Sequence, residues 1–81
     1  MNRRSGGRGF AARKPARIEL LGSRRSATCV IRRLSDVEAV LEVAEPHELP
    51  IEFDLLMEPA WQPQRCGVIR RKARCVAVAF I

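Results

Sequence analysis

Apolar and polar residues alternate over six short stretches of this chain, and turn-forming residues separate the stretches at intervals of about ten residues. Pro15 opens Ala16–Leu21, which predicts a half-buried first strand with Ile18 and Leu20 inward. Gly22–Ser26 is a polar turn. Ala27–Leu34 predicts a second strand, with Thr28, Val30, Arg32 and Leu34 on one side and Cys29, Ile31 and Arg33 on the other. Ser35-Asp36 interrupts the pattern, and Val37–Val43 resumes it as a third strand. Residues 44–50 begin and end near prolines and predict a loop with room for a short helical turn. Ile51–Met57 alternates cleanly, which places Ile51, Phe53, Leu55 and Met57 inward. After the turn at Glu58–Pro63, Arg65–Lys72 and Cys75–Ile81 form a last pair of strands around Ala73-Arg74.

Short strands at this spacing, without a long amphipathic helix, predict an all-β fold: a small six-stranded antiparallel β-barrel over residues 15–81. A closed barrel also removes the open strand edges that so small a chain cannot cover. Residues 1–14 contain no acid and no periodicity, so they are expected to form a flexible Arg/Gly-rich arm. With 47% hydrophobic residues the remainder is one globular domain.

Charge adds a second pattern to the first. Residues 1–35 hold ten basic side chains and one acidic, residues 36–64 hold eight acidic and no Lys or Arg, and residues 65–81 hold five basic and no acid. Two consequences are open at this level. A basic pole can concentrate anions such as nucleotides, nucleic acid or lipid headgroups, or the central acids can neutralise the flanks across neighbouring strands.

The chemistry-bearing residues exclude more than they assign. Cys29, Cys66 and Cys75 form no CxxC pair, and the single His47 completes no ligand set, so buried reduced thiols are expected rather than disulfides or zinc. No P-loop, GxSxG elbow or convincing carboxylate pair is present, so binding is expected rather than catalysis. No apolar run is long enough to span a membrane, and the basic N-terminus leads into no apolar signal segment, so the expected location is cytoplasmic. Trp61, between prolines, is expected to cap one end of the barrel. Arg24-Arg25, Arg32-Arg33 and Arg70-Arg71-Lys72 are expected on solvated faces or hairpin tips.

Several segments in this order resemble the PilZ family of bacterial receptors for cyclic di-GMP. Arg3-Arg4-Ser5-Gly6-Gly7-Arg8 is similar to the family's RRxxxR arm. The stretch Cys29–Val43 is similar to its strand, turn and strand. Leu49-Pro50-Ile51-Glu52-Phe53-Asp54-Leu55 resembles its LP-x-x-F-x-L strand, Arg65–Arg71 its RCRVVWR strand, and Val76–Phe80 its closing IGVAF strand. The resemblance implies a PilZ-like barrel and a signalling role in which Arg3, Arg4 and Arg8 hold the phosphates and guanines of cyclic di-GMP. Arginine suits this because its planar, always charged fork pairs with phosphate, stacks on a purine, or binds guanine O6 and N7. Arg13 can share the role of Arg8.

The family's second motif, (D/N)xSxxG, is altered here. Ser35 occupies the serine, but Arg33 replaces the acceptor and Glu38 the glycine. Arginine offers guanine no acceptor, and a residue with a Cβ pays about 1–2 kcal/mol in a left-handed turn. Losing one charge-assisted pair and adding strain costs about 2–4 kcal/mol, or ~30–1,000-fold in affinity. Asp36 is the replacement acceptor at hand. The expected ligand site is therefore Arg3, Arg4, Arg8, Arg33, Ser35 and Asp36, with cyclic di-GMP as ligand and no cofactor. Two further readings stand beside it: a PilZ-like module that has lost the ligand and acts through a protein partner, and nonspecific RNA or DNA binding through the basic segments, for which Arg4–Phe10 resembles one RGG copy.

Overall fold

The structure, a computed structural model, describes residues 10–81, with side chains from Arg13 onward. Six strands follow in chain order: β1 Phe10–Glu19, β2 Ser26–Leu34, β3 Glu38–Glu42, β4 Glu52–Leu56, β5 Pro63–Lys72 and β6 Cys75–Phe80. All pairings are antiparallel, and the order β1-β2-β3-β6-β5-β4 closes on itself as β4 pairs back to β1. The all-β barrel read from the alternation is the fold. β1 begins earlier than the alternation indicates: Phe10 and Ala11 already pair with Leu34 and Arg33, so residues 10–14 belong to the barrel and not to the arm. Backbone pairing to β2 fixes them although their sequence shows no period.

Alternation fills the interior. Ala16, Ile18, Cys29, Ile31, Ala39, Leu41, Phe53, Leu55, Cys66, Val76 and Val78 are buried in one cluster, joined by Val43 and Leu49 beyond the strand ends. Met57 and Leu20 pack against it partly exposed. Ile51 departs from the expectation. It lies one residue before β4 and is 70% exposed, because the chain there is still leaving the loop and its carbonyl accepts from Val68 N–H (2.8 Å). Leu56, at the other end of β4, is buried although it falls outside the expected inward set.

Three registers shift: one in the β1–β2 ladder between Ala11 and Lys14, and two where strict alternation would bury a charge. Between Ile31 and Arg33, β2 carries an extra residue relative to β3, and between Val68 and Arg70, β5 carries one relative to β6. Each of these two shifts turns the next side chain outward. Arg32 and Arg33 are therefore both exposed, as are Ile69 and Arg70, while Leu34 returns to the core.

Residues 45–49 close one end of the barrel. Pro46–Glu48 forms a single 3-10 turn, with Pro46 and Leu49 buried. Arg71, half-buried on β5, holds this segment: its Nε donates to Pro46 O (3.0 Å) and its Nη2 to Leu49 O (2.6 Å). Arg71 is thus a loop anchor, not a solvated residue of a basic hairpin tip. At the opposite end, Trp61 lies in the β4–β5 turn with φ 55° and is 44% exposed, so it does not form the expected plug. Its N–H donates to Met57 O (2.8 Å), which closes the turn.

All three cysteines are free. Cys29 and Cys66 face the core, and burial pushes their thiols up to about 11 and about 12 from the ordinary 9.0, with smaller contributions at Cys66 from Asp54 and Cys29. Cys75, at the start of β6, is only half-buried.

The loop anchor and the core thiols can be tested separately. Arg71→Ala removes two charge-assisted hydrogen bonds from a partly buried loop and is expected to lower unfolding stability by about 2–3 kcal/mol, read as a lower urea midpoint. At about pH 8 a thiol reagent is expected to modify Cys75 alone in the native protein, and all three in denaturant. Because the folded-state thiol values of Cys29 and Cys66 are raised, their contribution to stability is complete below the unfolded value of 9.0 and is lost as pH climbs toward about 11 and about 12. Thermal midpoints recorded across that interval check the sign.

Candidate functional site

The β2–β3 hairpin turns at Ser35–Glu38, and Ser35 organises it. Ser35 N–H donates to Glu38 O (2.9 Å). The Ser35 hydroxyl oxygen accepts from Val37 N–H (3.2 Å) and Glu38 N–H (3.0 Å), and Oγ lies 3.3 Å from Glu38 O, to which it donates. A serine hydroxyl meeting backbone N–H groups two and three residues on stabilises a turn without a glycine. Neither Glu38 nor any other residue of this turn has positive φ, so the left-handed strain expected of Glu38 is not incurred. Val37 O accepts from Phe80 N–H (2.9 Å), which ties the turn to β6.

Around this turn stand three of the expected site residues. Arg33 lies on the outer face of β2 opposite Val40, with its side chain exposed. Asp36 is exposed in the turn, and Ser35 is half-buried with its hydroxyl engaged within the turn. Arg3, Arg4 and Arg8 lie outside the described residues. The structure therefore brings together Arg33, Ser35 and Asp36, and of these Asp36 is the side chain with an acceptor pointing to solvent.

Arg13 and Arg32 are tied to one carboxylate. Arg13 Nη2 lies 3.2 Å from Glu42 Oε1, and Arg32 Nε lies 3.4 Å from Glu42 Oε2. Arg32 Nη1 also donates to Cys75 Sγ (3.4 Å), and its pKa is raised by that thiol first and by Glu42 after it. On the far side of the barrel Arg65 pairs with Asp54 (2.8 Å) and lies 3.8 Å from Glu52. At these positions the central acids neutralise the basic flanks across strands. Such exposed pairs are weakened by salt and contribute little to stability. Glu42 was not singled out in the sequence, although an acid on the outward phase of β3 beside strands carrying Arg is the pattern that marks it.

Two shallow grooves adjoin each other where β3 leaves β2. One, of about 440 Å³, is lined by Pro15, Thr28, Val30, Glu42, Val43 and Arg74 among others. The other, of about 250 Å³, runs on past Thr28, Val43 and Ala44 to Leu20, Arg25 and Glu48. Both lie toward the end opposite the Ser35 turn, since Ser26 and Leu34 are the two ends of β2. Among the described residues no group of His, Cys, Asp and Glu could hold a metal ion, and no helix is long and apolar enough to cross a membrane.

Set against known proteins, the chain matches no family model and no curated sequence.

Ser35→Ala removes the hydroxyl that meets Val37 and Glu38 N–H. It is expected to cost about 1–2 kcal/mol of stability and to broaden the amide resonances of residues 35–38, while Ser35→Thr keeps both contacts. Denaturant titration and an amide correlation spectrum of each variant provide the check.

Proposed function

We propose that this chain is a non-catalytic receptor or adaptor that binds cyclic di-GMP through its N-terminal arginines and the face of the β2–β3 hairpin. The observation that supports this most is where the chain enters the barrel. Phe10, two residues after Arg8, pairs with Leu34, the residue between Arg33 and Ser35. The Arg3, Arg4 and Arg8 motif is therefore attached to the barrel beside the hairpin that the resemblance to PilZ domains assigns to the ligand. In this reading Arg3, Arg4 and Arg8 hold phosphate and guanine, Arg33 adds positive charge, and Asp36 takes the acceptor role toward guanine N–H groups. Ser35 contributes by holding the turn that presents Asp36. Ligand binding changes the surface at this end of the barrel, and a protein partner reads the change.

A second reading is favoured by the same hairpin: Arg33 offers no acceptor and the Ser35 hydroxyl is spent within the turn. The chain is then a PilZ-like module that acts through a protein partner without the nucleotide. Nonspecific nucleic-acid binding is the remaining reading, and Asp36, Glu38 and Glu42 on the same face oppose it.

Isothermal titration with cyclic di-GMP near physiological salt, with GTP as control, separates these. The receptor is expected to bind at micromolar concentration or tighter, selectively over GTP, and Arg3→Ala with Arg4→Ala is expected to weaken binding by at least ~100-fold through loss of two charge-assisted contacts. Retained affinity in that double variant overturns the assignment. Absence of heat from the wild type, together with binding gained in Arg33→Asp with Glu38→Gly, establishes the partner-only reading. Affinity that is indifferent to base identity and collapses with salt points to nucleic acid.

A further inference from the structure

The barrel wall opens on the β3 side of β2. Val30 pairs with Glu42, and there the β2–β3 ladder ends, because β3 gives way to a bend at Ala44 and the 3-10 turn beyond it. The stretch of β2 before Val30, Ser26–Cys29, is paired with β1 alone.

The β1–β2 ladder settles which backbone groups of that stretch are open. Leu20 N–H donates to Arg25 O (3.1 Å), so these two form a hydrogen-bonded pair of the antiparallel ladder. Every second pair in such a ladder exchanges bonds, which makes Ile18 with Ala27 and Ala16 with Cys29 the next two. Ser26 and Thr28 therefore turn their N–H and C=O groups away from β1, toward residues 43–49. Among the described residues no strand and no other backbone hydrogen bond meets them there.

The two adjoining grooves occupy this opening. Thr28, Val43 and Ala44 line both, and the smaller one reaches Ser26, Glu45 and Glu48. Ala27 lies on the inward phase with buried Cys29 and Ile31, yet it is exposed, because no strand covers it. Leu20, half-buried against the core, lines the same groove. On the loop wall Glu48 N–H donates to Glu45 O (3.1 Å), and residues at this spacing in a 3-10 turn share one face. Both glutamates are exposed, and among the described residues neither enters an ion pair.

We propose that this opening takes an extended segment of a protein partner, added to β2 as a strand. Unpaired N–H and C=O groups along a strand edge are matched by another main chain in extended form. The segment's main chain pairs with Ser26 and Thr28. An apolar side chain covers Ala27 and Leu20, and a basic one meets Glu45 and Glu48. Arg25, on the strand wall, keeps that basic residue on the loop side. A nucleic acid has no such main chain and would meet both glutamates. The inference rests on the protein partner common to the first two readings above and not on the nucleotide, so it stands or falls separately from the nucleotide titration.

Amide hydrogen exchange of the full chain without nucleotide, read residue by residue, tests the edge itself. Ala27 and Cys29 are expected to be protected, and Ser26 and Thr28 to exchange at least ~100-fold faster. Protection at Ser26 and Thr28 overturns the proposal, and protection that grows with protein concentration does so by placing a second copy of the chain on the edge. Occupancy is tested by selecting a phage-displayed library of random linear peptides on the full chain. Recovered peptides are expected to carry a basic residue near an apolar one, and the best of them, made synthetically, to slow exchange at Ser26 and Thr28. Thr28→Pro removes an N–H that lies outside the β1 ladder, and Glu45→Lys with Glu48→Lys reverses the loop wall. Each variant is expected to weaken that peptide at least ~10-fold, with the barrel intact by circular dichroism. Should the proline variant fail to fold, the charge reversal gives the reading alone. A library that yields no binder, a peptide that protects other residues instead, or affinity unchanged in a folded variant overturns the proposal.

Discussion

The seam between β1 and β4 consists of three residue pairs, Arg17 with Leu56, Ile18 with Leu55 and Glu19 with Asp54. Closing the sheet there leaves no edge strand and converts six half-buried strands into the wall of a single core. Ile18 and Leu55, the central pair of the seam, are both fully buried, so the same residues that close the ladder also fill the interior. A chain of this size buries only a little over ~60% of its unfolded surface, which makes it sensitive to losses at such positions. The remaining features of the molecule are placed by this closure: one barrel end is covered by residues 45–49, and the other carries the β2–β3 hairpin, the β4–β5 turn and the entry of β1.

Closure forces strong curvature on a small sheet, and the β-bulges are where that curvature meets the sequence. Each is positioned so that a basic residue following a core residue leaves the barrel instead of entering it. On β2 this gives adjacent outward arginines, of which Arg32 binds Glu42 and Cys75 while Arg33 faces solvent beside the hairpin. On β5 it gives Ile69 and Arg70. The candidate ligand site therefore depends on the first of these bulges, which turns Arg33 to solvent beside the hairpin. Arg71, next along β5, turns its guanidinium to the carbonyls of Pro46 and Leu49 and secures the closed end.

In the receptor reading proposed above, recognition turns on acceptors rather than on positive charge. Basic side chains are plentiful, but Glu42, Asp54 and Glu52 draw Arg13, Arg32 and Arg65 into cross-strand pairs, so the count of fifteen Lys and Arg overstates what is open to a ligand. For a guanine ligand at the hairpin, the question in that reading is what can accept from its N–H groups. Ser35 spends its hydroxyl on Val37 and Glu38, and Asp36 is left as the exposed acceptor. Electrostatic attraction alone would bring many anions to the arginines; a fixed acceptor beside them is what distinguishes a guanine nucleotide from a phosphate.

Much of this was legible in the residues themselves. Period-two alternation identified Ile18, Leu20, Phe53, Leu55 and Met57 as inward positions and set Cys29 with Ile31 on one side of β2, and prolines with Gly22 marked the breaks, because a half-buried strand requires that alternation and those residues end it. Strand count, antiparallel order and the loop with its short helical turn follow from the same signals. Alternation is a local property, however, and it holds only until a register shifts. The sequence therefore placed Arg33 with Ile31 and Ile51 with Phe53, whereas the bulge near Arg32 and the late start of β4 put both outward. Pairing partners are equally invisible to a local pattern. Tertiary structure alone decided that β1 extends back to Phe10, that Glu42 gathers Arg13 and Arg32, that Arg71 anchors a loop more than twenty positions earlier in the chain, and that Ser35 makes its turn without a glycine. Each of these is a contact between strands or across a turn, whose geometry exists only once the barrel has closed.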